Sequence, residues 1–270
     1  MTIDFSKIKD LSSKKRIELQ DEDKLLISFI AKHKYVDEIS AKILLNKKND
    51  RAFFSRIKKL INYNFLRKSK VVLTTMEWGV KPIFISVYSL GSDGCGLFNL
   101  KQIKTIDVNN EHVKHNLFVR RVCSVLEKFM IENQLLEYEN EKILDDYSDR
   151  IYIDKKQKYR IRPDIFLTNF NILFEIELNI KPNKNHHGKR LFWSQHLKNY
   201  NKTIWFVENQ NDKQKLINIF QNFAGQSFRY DSVLDKKMIF TDILSQNLII
   251  VFDDFFDNPD KYFMLWSGLN

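Results

Sequence analysis

Three carboxylates lie close together in the second half of this 270-residue chain. Residues 172–178 read Ile-Leu-Phe-Glu-Ile-Glu-Leu, and because side chains alternate along a strand, Glu175 and Glu177 would share one face. A short turn at residues 169–171 would bring Asp164, on the preceding strand, beside this pair. Clustered carboxylates stay ionised when a divalent cation or basic groups lie among them, so one interpretation is a hard-cation site. The alternative is a half-exposed hairpin with its acids on the solvent-facing side.

The composition favours two packed domains and a polyanionic partner. The length exceeds that of a usual single domain, and 43% of the residues are hydrophobic. The formal charge of +10 makes nucleic acid the leading partner. No apolar run approaches the roughly 18 residues of a membrane span, and no signal-peptide layout is present, so we expect a cytoplasmic protein. Cys95 and Cys123 lie too far apart to indicate a zinc ribbon or a disulfide framework.

The first half of the chain has the element order of a winged helix-turn-helix domain. Residues 1–20 are read as a flexible basic arm, and residues 21–98 as the domain itself. Within it, apolar spacing predicts three helices and two strands, at residues 21–33, 36–44, 49–63, 66–75 and 83–90. Any other small α+β domain is the alternative.

The charge pattern of the third helix favours DNA. Between residues 42 and 70 ten lysines or arginines stand against one acid, Asp50. Polar and basic residues recur on the helix at steps of three and four, opposite the apolar ones. Arginine and asparagine can read base edges, whereas lysines neutralise phosphates. The predicted base-reading residues are Arg51, Ser55 and Asn62. The predicted phosphate contacts are Lys58, Lys59, Arg67 and Lys68, and Arg56 completes the DNA-binding set.

The second half predicts an α/β sandwich. After a linker at residues 99–110, a long amphipathic helix at about 111–133 starts a second domain that extends to residue 270. The carboxylate hairpin follows it, and a basic helix is expected at about 184–200. Further elements are predicted at residues 203–207, 212–223, 238–240 and 248–252.

This second half resembles the PD-(D/E)XK nuclease superfamily. Pro163-Asp164, Glu175-Ile176-Glu177 and the basic helix match its pattern in order. The resemblance implies that Asp164 and Glu175 hold Mg²⁺, with Glu139 or Glu141 as an additional ligand. Glu177 stands where the pattern has lysine, and Lys189 would supply the missing charge. The implied catalytic set is therefore Asp164, Glu175, Glu177 and Lys189. Bound Mg²⁺ would polarise a phosphodiester and activate a water.

The layout of the whole chain is similar to that of the plasmid replication-relaxation family. The matching pieces are Arg-Ile-Lys-Lys-Leu-Ile at 56–61, Val-Tyr-Ser-Leu at 87–90 followed by glycines, Glu111-His112 with His115, Arg162-Pro163-Asp164, Phe-Glu-Ile-Glu at 174–177, and Trp-Phe-Val at 205–207. The resemblance implies a DNA-binding accessory protein of a mobile element, acting at an origin of replication or transfer.

Three hypotheses for function follow from these patterns. The first is a double-stranded DNA-binding protein whose second domain serves assembly, as a homodimer or with a relaxase or replication protein. The second is a Mg²⁺-dependent DNA endonuclease targeted by the winged helix. The third is a transcriptional repressor. Loss of Glu175 separates the first two, because it would abolish cutting and leave DNA binding intact.

Overall fold

The computed structural model describes residues 17–47, 49–72, 84–102, 110–132, 143–144, 149–154, 157–161, 163–168, 170–178, 180, 202–223, 227–228, 238–239 and 247–267. It is a mixed α+β protein that divides into two compact units, Met1–Lys128 and Phe129–Asn270. In the described residues no helix is both long and apolar enough to cross a membrane.

The first unit combines helices with a three-stranded sheet. Its elements are α1 (Asp21–His33), β1 (Tyr35–Asp37), α2 (Glu38–Leu44), α3 (Asp50–Asn62), β2 (Leu66–Val72), β3 (Phe84–Leu90), α4 (Ser92–Leu97) and α5 (Asn110–Glu132). The predicted second helix is too long at its start, because its first residues form β1. The short helix α4 was not predicted. The predicted flexible arm is also too long, since Ile17 and Leu19 are buried.

Polar side chains set the starts of the three N-terminal helices. At α1, the Asp23 carboxylate accepts a hydrogen bond from the backbone N–H of Gln20 at 2.7 Å. At α2, Asp37 accepts from the N–H of Ser40 at 2.9 Å. At α3, Asn49 accepts from the N–H groups of Arg51 and Ala52. Each contact satisfies donors that the first turn of a helix leaves free, which is why these helices begin where they do.

The sheet of the first unit has the antiparallel order β1–β3–β2. Tyr88 of β3 lies between Val36 and Lys68 in register, and its ring makes an edge contact with Phe53 of α3. Thus one face of the sheet packs against the N-terminal helices. The predicted hairpin is confirmed as β2 and β3, whereas the connecting residues 73–83 lie outside the described residues.

Helix α5 covers the opposite face of this sheet. Val113 and Leu117 of α5 pack against Tyr35, Val71 and Val87.

Polar contacts also fasten α5 to the first unit. Arg121 donates to Asp37 at 2.7 Å, and Arg120 donates to the carbonyl of His33 at 3.0 Å. Asp37 therefore serves two helices at once, as the α2 cap and as the partner of Arg121. The sequence pattern predicts this helix at the start of the second domain, whereas in the structure it belongs to the first unit up to Lys128. The reason is physical, because without α5 the apolar face of the sheet would meet solvent.

Two glycines let the start of α4 approach the turn after α3. The N–H of Gly91 donates to the carbonyl of Phe65 at 2.9 Å, and that of Asp93 to Asn64 at 3.1 Å. A Cβ on Gly91 would lie 2.2 Å from the Asn64 carbonyl oxygen, and one on Gly94 would lie 2.3 Å from that of Phe65. The contacted atoms are backbone, so they cannot move aside without disturbing the turn.

We therefore expect Gly91→Ala or Gly94→Ala to lower the free energy of unfolding by about 1–3 kcal/mol, as overpacking does. Gly96→Ala is the matched control, because a Cβ there meets nothing within 4 Å. It should be neutral or raise stability by about 0.4–1 kcal/mol. Urea denaturation followed by circular dichroism measures all three. Equal stabilities for Gly91→Ala and Gly96→Ala would contradict the close approach.

Tyr88 gives the first unit a dependence on alkaline pH. Its side chain is fully buried, and the described residues offer its hydroxyl no hydrogen-bond partner. Burial, assisted by the nearby Glu38 carboxylate, raises the pKa of Tyr88 from 10.0 to about 12. The unfolded chain therefore ionises first, and the stability contribution present below about pH 10 is lost as the pH rises towards 12.

The loss corresponds to about 2.7 kcal/mol for two pKa units. We expect Tyr88→Phe to match the parent protein in stability at about pH 8 or exceed it slightly, since its hydroxyl has no hydrogen bond to the described residues to lose. Between about pH 10 and 11.5 the free energy of unfolding should fall less steeply with pH for the variant than for the parent protein. Urea titrations at stepped pH provide the measurement, and parallel slopes for the two proteins would contradict the expectation.

The second unit contains a five-stranded mixed sheet. Its described elements are β4 (Ile143–Leu144), β5 (Asp149–Asp154), β6 (Gln157–Ile161), β7 (Ile165–Leu167), β8 (Ile172–Glu177), β9 (Lys202–Val207), α6 (Gln210–Phe223), β10 (Ser227–Phe228), β11 (Met238–Ile239), β12 (Asn247–Val251), α7 (Phe252–Asp257) and α8 (Pro259–Ser267). The strand order is β12–β9–β8–β7–β4. Strands β12, β9 and β8 run parallel, whereas β7 is antiparallel to both β8 and β4. The predicted carboxylate hairpin is confirmed as β7 and β8.

Both faces of the five-stranded sheet are packed. On one face, Trp205 and Val251 pack with Leu216 and Phe220 of α6. On the other face, the rings of Phe174, Phe206 and Phe252 stack in a row, with centroids 6.1 and 5.3 Å apart. Helix α6 and strand β9 agree with the predicted helix and strand there. The predicted basic helix at 184–200 lies outside the described residues.

Candidate functional site

Helix α3 separates its apolar and polar side chains cleanly. Phe53, Ile57 and Leu60 are buried against the first unit. Five of the predicted DNA-binding residues lie on the opposite, solvent-exposed side, and together they form the α3 outer face. These residues are Arg51, Ser55, Lys58, Lys59 and Asn62. Because they share one side of one helix, a single groove could contact all of them.

The α3 outer face carries three positive charges, and the one acid of the helix is balanced elsewhere. Asp50 forms an ion pair with Lys42 of α2 at 2.8 Å. Lys42 also pairs with Glu38 at 2.8 Å, and these hydrogen bonds, that of Asp50 first, raise the pKa of Lys42. The Asp50 carboxylate is therefore paired with Lys42 next to the N-terminus of α3 and does not neutralise the cations of the α3 outer face. The outer face keeps its positive charge.

Arg56 has a structural role that the sequence did not reveal. Its guanidinium forms a two-pronged ion pair with Asp23, whose side chain is fully buried, and also donates to the carbonyl of Glu18 at 3.0 Å. Burial lowers the pKa of Arg56, opposed by Glu22 and Glu18. These contacts engage Nε and Nη2 of Arg56 with Asp23 and Glu18, so the structure gives Arg56 a role within the fold, and a DNA contact by Arg56 stays a prediction.

The two predicted residues on β2 lie on opposite faces of the sheet. Both Arg67 and Lys68 are exposed. Lys68 lies in register with Tyr88, 6.0 Å from the ring centroid, on the face that α3 packs against. Arg67 alternates to the face that α5 covers. Lys70, which the sequence analysis left out, is exposed and shares the face of Lys68. Alternation along β2 could have identified it.

The β7–β8 hairpin brings Asp164 next to Glu175. The register pairs Ile165 with Phe174, so one step further the backbone of Asp164 lies opposite that of Glu175. The N–H of Asp164 donates to the carbonyl of Phe174 at 3.1 Å. In return, the Asp164 carboxylate accepts from the N–H of Ile176 at 2.7 Å. The hairpin thereby fixes the Asp164 carboxylate at the edge of β8.

Glu175 and Glu177 are buried, with only 3% and 7% of their surfaces exposed. The alternative of a hairpin with its acids facing solvent is therefore wrong. The parallel register places Glu175 beside Trp205 and Glu177 beside Val207, so both carboxylates share the sheet face that α6 covers. Burying carboxylates costs free energy unless charges, hydrogen bonds or a metal compensate. Two buried carboxylates on one strand therefore require compensating contacts.

The neighbours of these carboxylates include a buried polar pair that the sequence patterns do not predict. Trp205 donates through Nε1 to the side-chain oxygen of Asn247 at 2.8 Å, and both residues are buried. Asn247 lies beside Thr203 on the next strand. This polar pair occupies the same sheet face as Glu175. No short-range signal could have found it, because 42 residues separate its partners.

The donor chemistry of this region fits a hard cation. Carboxylate oxygens are the ligands that Mg²⁺ prefers, and Asp164 and Glu175 supply them. Within the part of the chain that the structure describes, however, no group of three or more His, Cys, Asp or Glu residues is placed to hold a metal. The other predicted contributors, Glu139, Glu141 and Lys189, lie outside that part. The metal site therefore stays a prediction.

Comparison with known proteins found no relatives of this chain. No protein-family model matches it, and no curated protein or solved structure does so either. The resemblance to the plasmid replication-relaxation family accordingly rests on the sequence motifs alone.

Proposed function

We propose that the protein binds double-stranded DNA and that α3 enters the major groove as the recognition helix. The observation that carries this proposal is the α3 outer face. It offers three cations, a serine hydroxyl and an asparagine amide to solvent on one side of a helix, while the opposite side is anchored in the core. A helix of this kind matches the width of the major groove, where arginine and asparagine recognise guanine and adenine.

The fold of the first unit supports the same proposal. Helix, short strand, two helices and a hairpin, with strand order β1–β3–β2, is the arrangement we infer to be a winged helix. Lys68 and Lys70 lie exposed on the hairpin face that α3 packs against. In a winged helix this hairpin flanks the recognition helix, where lysines contact phosphates. We further propose, from the sequence resemblance, an accessory role at a replication or transfer origin of a mobile element.

Salt-dependent binding tests this function. A fluorescently labelled duplex of mixed sequence should bind the full chain, and the logarithm of its affinity should fall linearly with the logarithm of salt concentration. Four or five phosphate contacts, as Lys58, Lys59, Lys68, Lys70 and Arg51 could supply, correspond to a slope of about −4. Undetectable binding at low salt would contradict the proposal.

A second candidate function is metal-dependent DNA cleavage by the second unit, and the burial of two carboxylates next to Asp164 favours it. We infer that this unit is of the PD-(D/E)XK type. Asp164 and Glu175 would hold Mg²⁺, which when bound would polarise a phosphodiester and lower the pKa of an attacking water. Asp164 is already oriented by its hydrogen bond from Ile176. Glu177 stands where a lysine would be expected, so its buried carboxylate would have to position or activate the water.

Plasmid nicking separates the two functions. Supercoiled plasmid is incubated with the protein and Mg²⁺ or Mn²⁺, beside Glu175→Gln and, as a matched control, Asp253→Asn on the exposed start of α7. Cutting by the parent and by Asp253→Asn, but not by Glu175→Gln, would support the nuclease. Retained DNA binding without cutting in all three proteins would leave DNA recognition as the function.

A further inference from the structure

Phe54 is a large apolar side chain exposed on α3. Its exposed fraction is 44%, whereas the preceding residue, Phe53, is fully buried. On a helix surface, residues three and four positions apart are neighbours. Phe54 therefore lies beside Arg51 on one side and Lys58 on the other, at the border of the α3 outer face. A single exposed phenylalanine needs no explanation by itself, but this one is surrounded by cations.

The ring of Phe54 is held in place. The ring of Phe53, which is buried, lies 5.2 Å from it in an edge arrangement. The Nζ atom of Lys42 lies over it at 5.7 Å, and Lys42 is itself fixed by Glu38 and Asp50. A ring braced from two sides loses little conformational freedom when a ligand covers its remaining face.

The surroundings determine what can cover this ring. A partner must present an apolar group within a strongly anionic surface. In the major groove of B-form DNA the 5-methyl group of thymine is that group, and phosphates supply the charge. RNA offers neither a methyl group on uracil nor a major groove that admits a helix.

We propose that Phe54 is a specificity-determining residue that contacts a thymine methyl group. The inference rests on the proposed function, since it requires α3 to lie in the major groove. It adds that the recognised site contains thymine at the position facing the first half of α3. The contribution is modest, because covering one methyl group changes affinity about fourfold.

Thymine-to-uracil scanning tests the proposal. Sites are selected from a randomised duplex library with the full chain, and each thymine of a selected duplex is then replaced by deoxyuridine, which lacks only the methyl group. We expect one or two positions at which the replacement weakens binding about fourfold. In Phe54→Ala this difference should vanish, whereas Phe54→Leu should keep part of it. Leu265→Ala, which truncates an exposed apolar residue of α8, should keep all of it.

The outcomes distinguish this inference from the proposed function. If the parent protein binds selected duplexes but ignores every uracil, or if Phe54→Ala retains the full difference, the Phe54 contact is overturned and DNA binding stands. If no duplex can be selected, both fall. Tighter binding to an RNA duplex of the same sequence would also overturn the contact. Thermal denaturation of Phe54→Ala confirms that the exposed truncation leaves the fold intact.

Discussion

Replacing Arg51 and Lys58 by alanine should weaken binding to double-stranded DNA on the order of 100-fold. Both side chains are exposed on the α3 outer face. One bidentate contact from arginine to guanine is worth about 1–3 kcal/mol, and one phosphate contact changes the salt slope by about 1. The Arg51→Ala change should relax specificity at one base position. The Lys58→Ala change should weaken binding to all sequences and make the slope shallower.

A second pair of substitutions removes the same charge elsewhere. It combines Lys215→Ala with Lys261→Ala, because these two lysines are exposed on α6 and α8. Anisotropy titrations at two salt concentrations compare the two double variants. If DNA binding depended only on the net charge of the protein, the two double variants would lose affinity equally. That result would refute the recognition role of α3. We expect the α6 and α8 variant to stay within a factor of about three of the parent, because exposed charges that make no direct contact with the DNA are screened by salt.

Replacing Arg56 should instead destabilise the first unit by about 3–5 kcal/mol, because it leaves Asp23 buried without its counter-charge. Asp23 is fully buried and accepts hydrogen bonds from Nε and Nη2 of the guanidinium. It also caps α1 through the N–H of Gln20. The single variant Arg56→Met keeps much of the packing of the arginine stem. Its loss of stability therefore reports mainly on the unpaired carboxylate.

Measuring both stability and DNA binding separates the role of Arg56 from that of Lys59 on α3. Asp23→Asn combined with Arg56→Met should recover part of the lost stability, since asparagine is neutral and can still accept from Gln20. Lys59→Met, three residues further on the same helix and exposed, should change stability by less than about 0.5 kcal/mol. It should weaken DNA binding, whereas folded Arg56→Met should not. The opposite pattern would show that Arg56, and not Lys59, contacts DNA.

Local periodicity predicted α3 and its exposed side correctly, because the pattern of apolar residues at steps of three and four decides which side of a helix is buried. The role of Arg56 could not be predicted in the same way. Its partner Asp23 lies 33 residues earlier, and nothing in the sequence indicates that α1 contacts α3 at this residue. Arg56 and Lys59 look equivalent in the sequence, but only one of them is paired in the core.

The carboxylate hairpin shows a similar limit. Alternation along β8 correctly predicted that Glu175 and Glu177 share one face, but it does not predict whether that face is exposed to solvent or buried. That face is the one on which α6 packs against Trp205, and α6 begins more than 30 residues later in the chain. The division of the chain shows a related limit, since α5 belongs to the first unit up to Lys128. In the sequence, the apolar face of α5 fits the first helix of a second domain as well as it fits a helix that covers the β1–β3–β2 sheet. Only the structure shows that this sheet has an apolar face that α5 covers.

Hydrogen exchange of α3 in the presence of DNA tests the central claim most directly. The full chain is saturated with a selected duplex, and amide exchange is followed by mass spectrometry for peptides covering Asp50–Asn62 and, as a reference within the same molecule, Gln210–Phe223. We expect DNA to slow exchange in the α3 peptides, with the same protection lost in the Arg51→Ala and Lys58→Ala double variant. Unchanged α3 exchange in protein that is saturated with DNA would contradict recognition by this helix.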